Sequence, residues 1–231
     1  MHTDNSRRRF LGQSLKAGLL GSASGILLLH GCKEKEEDKE VSPPEDLMQE
    51  HGLLNRILLI YDHCREQLAA KQTPPLDALS GAAGIIKTFV EDYHEKQEED
   101  YLFPRFRKAG VLTDLVNVLL QQHNAGRAIT QQLMELGKVK APTDDQRQQL
   151  ILLLTRFNTM YRPHEAREDT VLFPAFRRLV TRHEYDSLGE EFENNEHKRF
   201  GKDGFEVMVD KVMAIEKQLG IYELAQFTPG V

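Results

Sequence analysis

The chain has 231 residues, which at roughly 150 per domain is one domain with additions, and 40% hydrophobic with 29% charged residues is the composition of a globular body able to bury a core. Thirty Lys and Arg against 36 Asp and Glu leave a net charge of −6, which excludes the basic surface that a nucleic-acid partner requires. Two cysteines cannot build a disulfide framework, and no apolar run of membrane-spanning length is present, so a multi-pass membrane protein is excluded too.

In chain order, the first element reads as an address rather than as fold. Ser6-Arg7-Arg8-Arg9-Phe10-Leu11 precedes an uncharged stretch from Ala17 to Cys32 that Gly and Ser break up. That stretch is too short and too glycine-broken for a transmembrane helix and reads as the apolar region of a signal peptide over residues 1–31. The Ser-Arg-Arg-x-Phe-Leu string resembles the twin-arginine export signal. Leu29-His30-Gly31-Cys32 resembles the lipobox of bacterial lipoproteins, in which the cysteine carries the lipid. The resemblances imply export by the twin-arginine route to the periplasm or the outer face of a bacterial membrane, with the membrane as a partner through a lipid anchor at Cys32. Residues 32–44 are then a linker, whose charged run Lys33 to Glu40 has no apolar side chain to offset the entropy of ordering.

From Ser42 onward the punctuation is helical. Ser42-Pro43-Pro44-Glu45 combines an N-cap, a proline in the first turn and a capping-box Glu; Thr143 to Gln146 and Thr181 to Glu184 repeat the cap pattern. Breakers at Thr73-Pro74-Pro75, at Gly110 to Thr113 and at Lys140-Ala141-Pro142 divide the stretch into four long segments with apolar residues at helical spacing. Leu47, His51, Leu54, Leu58, Tyr61 and Leu68 share one face of the first, and Val116, Leu119, Leu120, His123, Thr130 and Leu133 one face of the third. The expectation is an all-α protein: an up-down-up-down four-helix bundle over residues 45–181, with additional C-terminal helices over residues 182–231. In that extension Phe205, Val209 and Val212 are expected to pack on the bundle.

The second and fourth segments repeat one another when aligned on His94 and His164. HEKQEEDYLFPRFRK faces HEAREDTVLFPAFRR, and the first and third segments each add a histidine, His51 and His123, at nearly the same offset. The pattern is two helix pairs related by a pseudo-twofold axis. The repeated Leu-Phe-Pro-x-Phe strings read as core, with Pro104 and Pro174 bending or ending their helices.

Positions i and i+4 lie one above the other on a helix, so His94 with Glu98, and His164 with Glu168, each present an imidazole beside a carboxylate. With His51 and His123 they bring four imidazoles and two carboxylates to one interior. Buried and unpaired, the carboxylates would cost several kcal/mol each; a pair of divalent cations bridged by Glu98 and Glu168 is the compensation this set points to. Glu95 and Glu165 follow their histidines by one residue and point about 100° away, which suits supporting or surface roles. Cys64 and Tyr61 read as packing residues, with Tyr61 also placed to approach a metal-bound ligand. His63, His183 and His197 lie off the repeat. No nucleophile elbow, phosphate loop or paired-cysteine zinc motif is present.

These residues resemble the hemerythrin-like proteins, specifically the His-His-Glu cation-binding branch. Its pattern of His, His-x-x-x-Glu, His, His-x-x-x-Glu is matched by His51, His94/Glu98, His123 and His164/Glu168. The resemblance implies a four-helix bundle around a non-haem di-iron centre, with those six residues as the metal ligands. The invertebrate oxygen carriers of the family have a further third-helix histidine where this chain has Arg127, and His-x-x-x-x-Asp where it has His164-x-x-x-Glu168. The site therefore looks more like the branch concerned with iron sensing and iron–sulfur repair. Ferritin-like di-iron bundles fit less well, since only Glu91-x-x-His94 supplies their Glu-x-x-His pair.

Mixed imidazole and bridging carboxylate suits two iron ions, or manganese, better than four-coordinate structural zinc. The expected function is that of an envelope-anchored di-iron protein that binds a small diatomic, dioxygen or nitric oxide, or handles iron and redox signals; its redox partner is not identifiable. An oxidoreductase reducing nitric oxide or peroxide, or oxidising iron, is the alternative on the same centre.

Overall fold

A computed structural model describes residues 42–201 and 204–230. The leader, Cys32 and the charged tether lie outside the described residues. Helix α1 spans Pro43–Ala69, α2 residues 76–109, α3 Thr113–Leu136, α4 residues 144–179, α5 Arg182–Phe200 and α6 Gly204–Leu219, followed by a 3-10 turn at Leu224–Phe227. There is no strand among the described residues.

Local chemistry accounts for the ends. The Ser42 amide donates to Glu45 Oε2 at 3.0 Å at the start of α1. In the capping box of α4 the Gln146 amide donates to Thr143 Oγ1 and the Thr143 amide to Gln146 Oε1. Thr181 caps α5 by accepting from the Glu184 amide at 3.2 Å. Helix α2 stops at Gly110, whose φ of 67° is the left-handed conformation that closes helices. The short connections between the first four helices leave consecutive helices in contact, and α1 meets α4 to close the ring. His51 with Asp169, Leu58 with Asn158, and Gln72 with Arg147 are successive contacts between α1 and α4, so the two run antiparallel. The extension packs on one side only. α6 lies against α1 and α2, where Arg56 donates twice to the Glu216 carboxylate and Val212 is fully buried, and α5 lies against α1.

Pro104 and Pro174 do not end their helices, contrary to one of the two roles the sequence suggests for them. The chain continues as helix to Ala109 and to Leu179. A proline has no N–H for the carbonyl four residues back, and here the turn ahead of it widens: Phe103 donates to the Glu98 carbonyl and Phe173 to the Glu168 carbonyl, each five residues back. Both copies of the repeat thus carry a π-helical turn, Glu98–Leu102 and Glu168–Leu172, beginning at the conserved-in-repeat glutamate. In α2 a longer π segment, Ile86–His94, precedes it.

The apolar core comes in two clusters. One contains Leu54, Leu58, Tyr61, Phe89, Leu154, Phe157 and Tyr161; the other contains Leu47, Leu102, Phe103, Phe106, Leu119, Leu172 and Phe173. His51, His94, Glu98, His123, His164 and Glu168 fall between these two sets along every helix of the bundle, so a polar layer interrupts the core.

Candidate metal centre

All six side chains are buried, from 0% exposed for Glu98, His123 and Glu168 to 4% for His164. They form two triads, His51/His94/Glu98 and His123/His164/Glu168, each with one donor atom per residue within 4.8 Å of the others. The glutamates also reach across. Glu168 lies 3.1 Å from His164 Nε2 and 3.4 Å from His51 Nε2, and Glu98 lies 3.9 Å from His94 Nε2 and 3.5 Å from His123 Nε2. Each carboxylate therefore stands between histidines of the two halves. His51 Nε2 and His94 Nε2 are 3.1 Å apart, a separation close to that of two imidazoles at about 2.1 Å from one ion and roughly at right angles.

The outward nitrogens are held. His51 Nδ1 faces Asp169 at 2.8 Å, His94 Nδ1 faces Glu50 at 2.7 Å, His123 Nδ1 faces Glu99 at 3.1 Å and His164 Nδ1 faces Gln122 at 2.8 Å. A carboxylate or amide oxygen at Nδ1 fixes the tautomer with Nε2 free, as in metal sites generally. These four partners obey the repeat: Glu50 and Gln122 each precede a ligand-candidate histidine by one residue, and Glu99 and Asp169 each follow a glutamate by one. The rings are fixed from below in the same symmetric way, His51 stacking on Phe173 and His123 on Phe103, each at 5.6 Å between centroids. The Leu-Phe-Pro strings that read as plain core thus form the floor of the centre.

Glu95 and Glu165 are not surface residues. Glu95 accepts from the Tyr161 hydroxyl at 2.7 Å and pairs with Arg127 at 2.6 Å; Glu165 accepts from Asn55. Arg127 also reaches Glu99 at 2.6 Å, so its guanidinium joins two carboxylates of α2 and contacts none of the six. Tyr61 lies ten residues from His51 along α1, about 15 Å of helix, and its hydroxyl belongs to the neighbouring apolar cluster rather than to the centre. Cys64 is a buried free thiol. His63 and His197 are half-buried and His183 is exposed, all away from the centre.

Burial and neighbouring charges act against one another in this layer. Burial, then the Glu168 charge, push Glu98 well above the usual carboxylate range. Burial opposes ionisation of Glu168 as well, but His164 and His51 outweigh it and hold that carboxyl well below the usual range. Burial lowers His51, yet Asp169 and Glu168 raise it well above the ordinary imidazole value, while burial and His51 together depress His94. These opposed shifts come from acids and imidazoles sharing one buried space. Even so, both oxygens of Glu98, both of Glu168 and His123 Nε2 are buried without a hydrogen-bond partner. Unsatisfied buried groups are rare and costly, and here five of them point into one space lined by histidine nitrogens. The donor set fits metal cations.

The fold and this centre define a class: all-α bundles with a buried histidine–glutamate cluster for metal ions. The family model described as the hemerythrin HHE cation binding domain matches residues 42–176, and the chain belongs to that family. It is 44% identical over 222 residues to proteins described as uncharacterized, Rv1995 and MT2051 of Mycobacterium tuberculosis and Mb2018 of Mycobacterium bovis, with 90% of this chain and 87% of each relative covered. No solved structure matches the chain.

Proposed function

We propose that the protein holds two iron ions between the triads His51/His94/Glu98 and His123/His164/Glu168, with Glu98 and Glu168 as bridges. On that centre it binds dioxygen or nitric oxide, or handles iron and redox signals at the cell envelope. The observation that supports the reading is that both oxygens of Glu98, both of Glu168 and His123 Nε2 are buried without a hydrogen-bond partner. Six side chains for two ions leave coordination positions for a small ligand, which four-coordinate structural zinc would not. Iron bound there supplies reversible one-electron change and Lewis acidity; the chain contributes fixed Nε2 donors, aromatic floors and a water-poor interior.

The experiment is a spectral titration of the iron-loaded chain with azide and nitric oxide. Bands that shift on addition, and do not shift in Glu98→Ala, are the expected result; a spectrum indifferent to both ligands contradicts the reading. Continuous consumption of nitric oxide or peroxide with a reductant present would instead make the centre that of an oxidoreductase. Export is part of the same proposal. Replacing Arg7 and Arg8 by Lys is expected to retain the protein in the cytoplasm, and normal export of that variant would contradict the twin-arginine route.

A further inference from the structure

The pseudo-twofold symmetry of the donor set is broken around it. In the first triad the outward nitrogens face two carboxylates, Asp169 and Glu50. In the second they face Glu99 and the neutral amide of Gln122. Glu99 also accepts from Arg127 and Lys96, so its charge is shared among three donors. A carboxylate behind an imidazole raises the basicity of the ligating nitrogen, and such partners change metal affinity by about 10–100-fold.

The covering behind His94 and His164 differs in the same sense, while behind His51 and His123 it runs the other way, Asp169 being 35% and Glu99 10% exposed. Glu50 is 2% exposed and lies within 4.8 Å of Glu196, which α5 brings across the His94 side. The corresponding residue at the other position, Gln122, is half-buried, and it lines with His164 an open groove between α3 and α4. Exposed Val118, Pro163 and Arg167 line it too, with Leu115 and Leu119. The C-terminal helices pack on α1 and α2, with Tyr185 of α5 against Phe176 and Arg177 near the end of α4, and do not line this groove.

From these two asymmetries we infer that the cation positions are unequal: His51/His94/Glu98 is the tight, covered position, and His123/His164/Glu168 is the weaker one, which exchanges its cation through the α3–α4 groove. The inference rests on the two-cation reading above. Charge repulsion between neighbouring ions would separate two binding steps even in a symmetric centre, so the test depends on variants of the outer partners. Metal-free full chain is titrated anaerobically with iron(II) in a calorimeter, with circular dichroism confirming that each variant is folded. Glu50→Gln is expected to weaken the tighter step by about tenfold or more and spare the other. Gln122→Glu is expected to tighten the weaker step by a similar factor and spare the tighter one. Effects on the opposite steps, or equal effects of each variant on both steps, overturn the inference. Uptake of fewer than two equivalents by the wild-type chain overturns the two-cation reading itself.

Discussion

The four central histidines use their two ring nitrogens differently, and that difference separates a metal-ligand candidate from a histidine satisfied in a core. Every Nδ1 is fixed by an oxygen of another helix, while the Nε2 atoms converge on carboxylates that have no hydrogen-bond partner. On the proposed two-iron reading, Glu98→Ala and Glu168→Ala are each expected to lower bound metal from two ions to one or none per chain, measured by elemental analysis. Glu165 gives a pH dependence. Burial pushes its carboxyl up to about 8, so the folded metal-free protein keeps a proton that the unfolded chain releases above the ordinary value of 4.5. Stability from this group is therefore present at low pH, falls as pH rises from that value and levels off above about 8. Glu165→Gln should remove that fall, making the metal-free protein more stable than wild type at pH 8 by on the order of 2 kcal/mol and little different at pH 5. Denaturant titrations at the two pH values measure it. Cys64 is likewise decided by burial, which pushes its thiol up to about 12; it should resist thiol reagents in the native state and react once unfolded.

At the scale of elements, the repeated His-x-x-x-Glu is legible because one helix period is enough to place both side chains on one face. The residues that hold the four histidines are not legible in that way. Glu50, Gln122, Glu99 and Asp169 each serve a histidine on another helix rather than the histidine or glutamate beside them in sequence, which only packing decides. The same holds for Glu95, whose burial depends on Tyr161 and Arg127 arriving from α4 and α3. Pro104 and Pro174 mislead for a local reason: the widened turn that accommodates a proline without ending the helix has no composition signal of its own. Helix α3 approaches α4 closely at Gly126, where a Cβ would overlap the Tyr161 hydroxyl. Gly126→Ala should cost about 1–3 kcal/mol. The cost should shrink when Tyr161→Phe removes the hydroxyl, and a double-mutant cycle reads that coupling. Replacing Arg127 by Met leaves Glu95 buried without its cation and should cost about 3 kcal/mol; calorimetric melting of the metal-free chain checks it.

For the whole molecule, caps, breakers and helical spacing carry the order of the helices, and the internal repeat carries the pseudo-twofold arrangement. The side on which α5 and α6 pack is tertiary information, and it makes one edge of the centre covered and the other open. A polar layer set between two apolar clusters is tolerable only when its charges are balanced, so the fold and the metal ions should be thermodynamically linked. At a free cation concentration about 100-fold above the dissociation constant, each occupied position should add about 2.7 kcal/mol of stability. Loaded protein should therefore melt several degrees above the chelated form, at about 2–4 °C per kcal/mol for a chain of this size. The most direct measurement of the central claim is metal content with an optical spectrum on the chain produced in iron-replete cells and purified without chelator. The account predicts about two irons per chain, as a bridged pair requires, with near-ultraviolet bands that change on adding azide. A folded chain that holds no metal, even after anaerobic iron reconstitution, would contradict it.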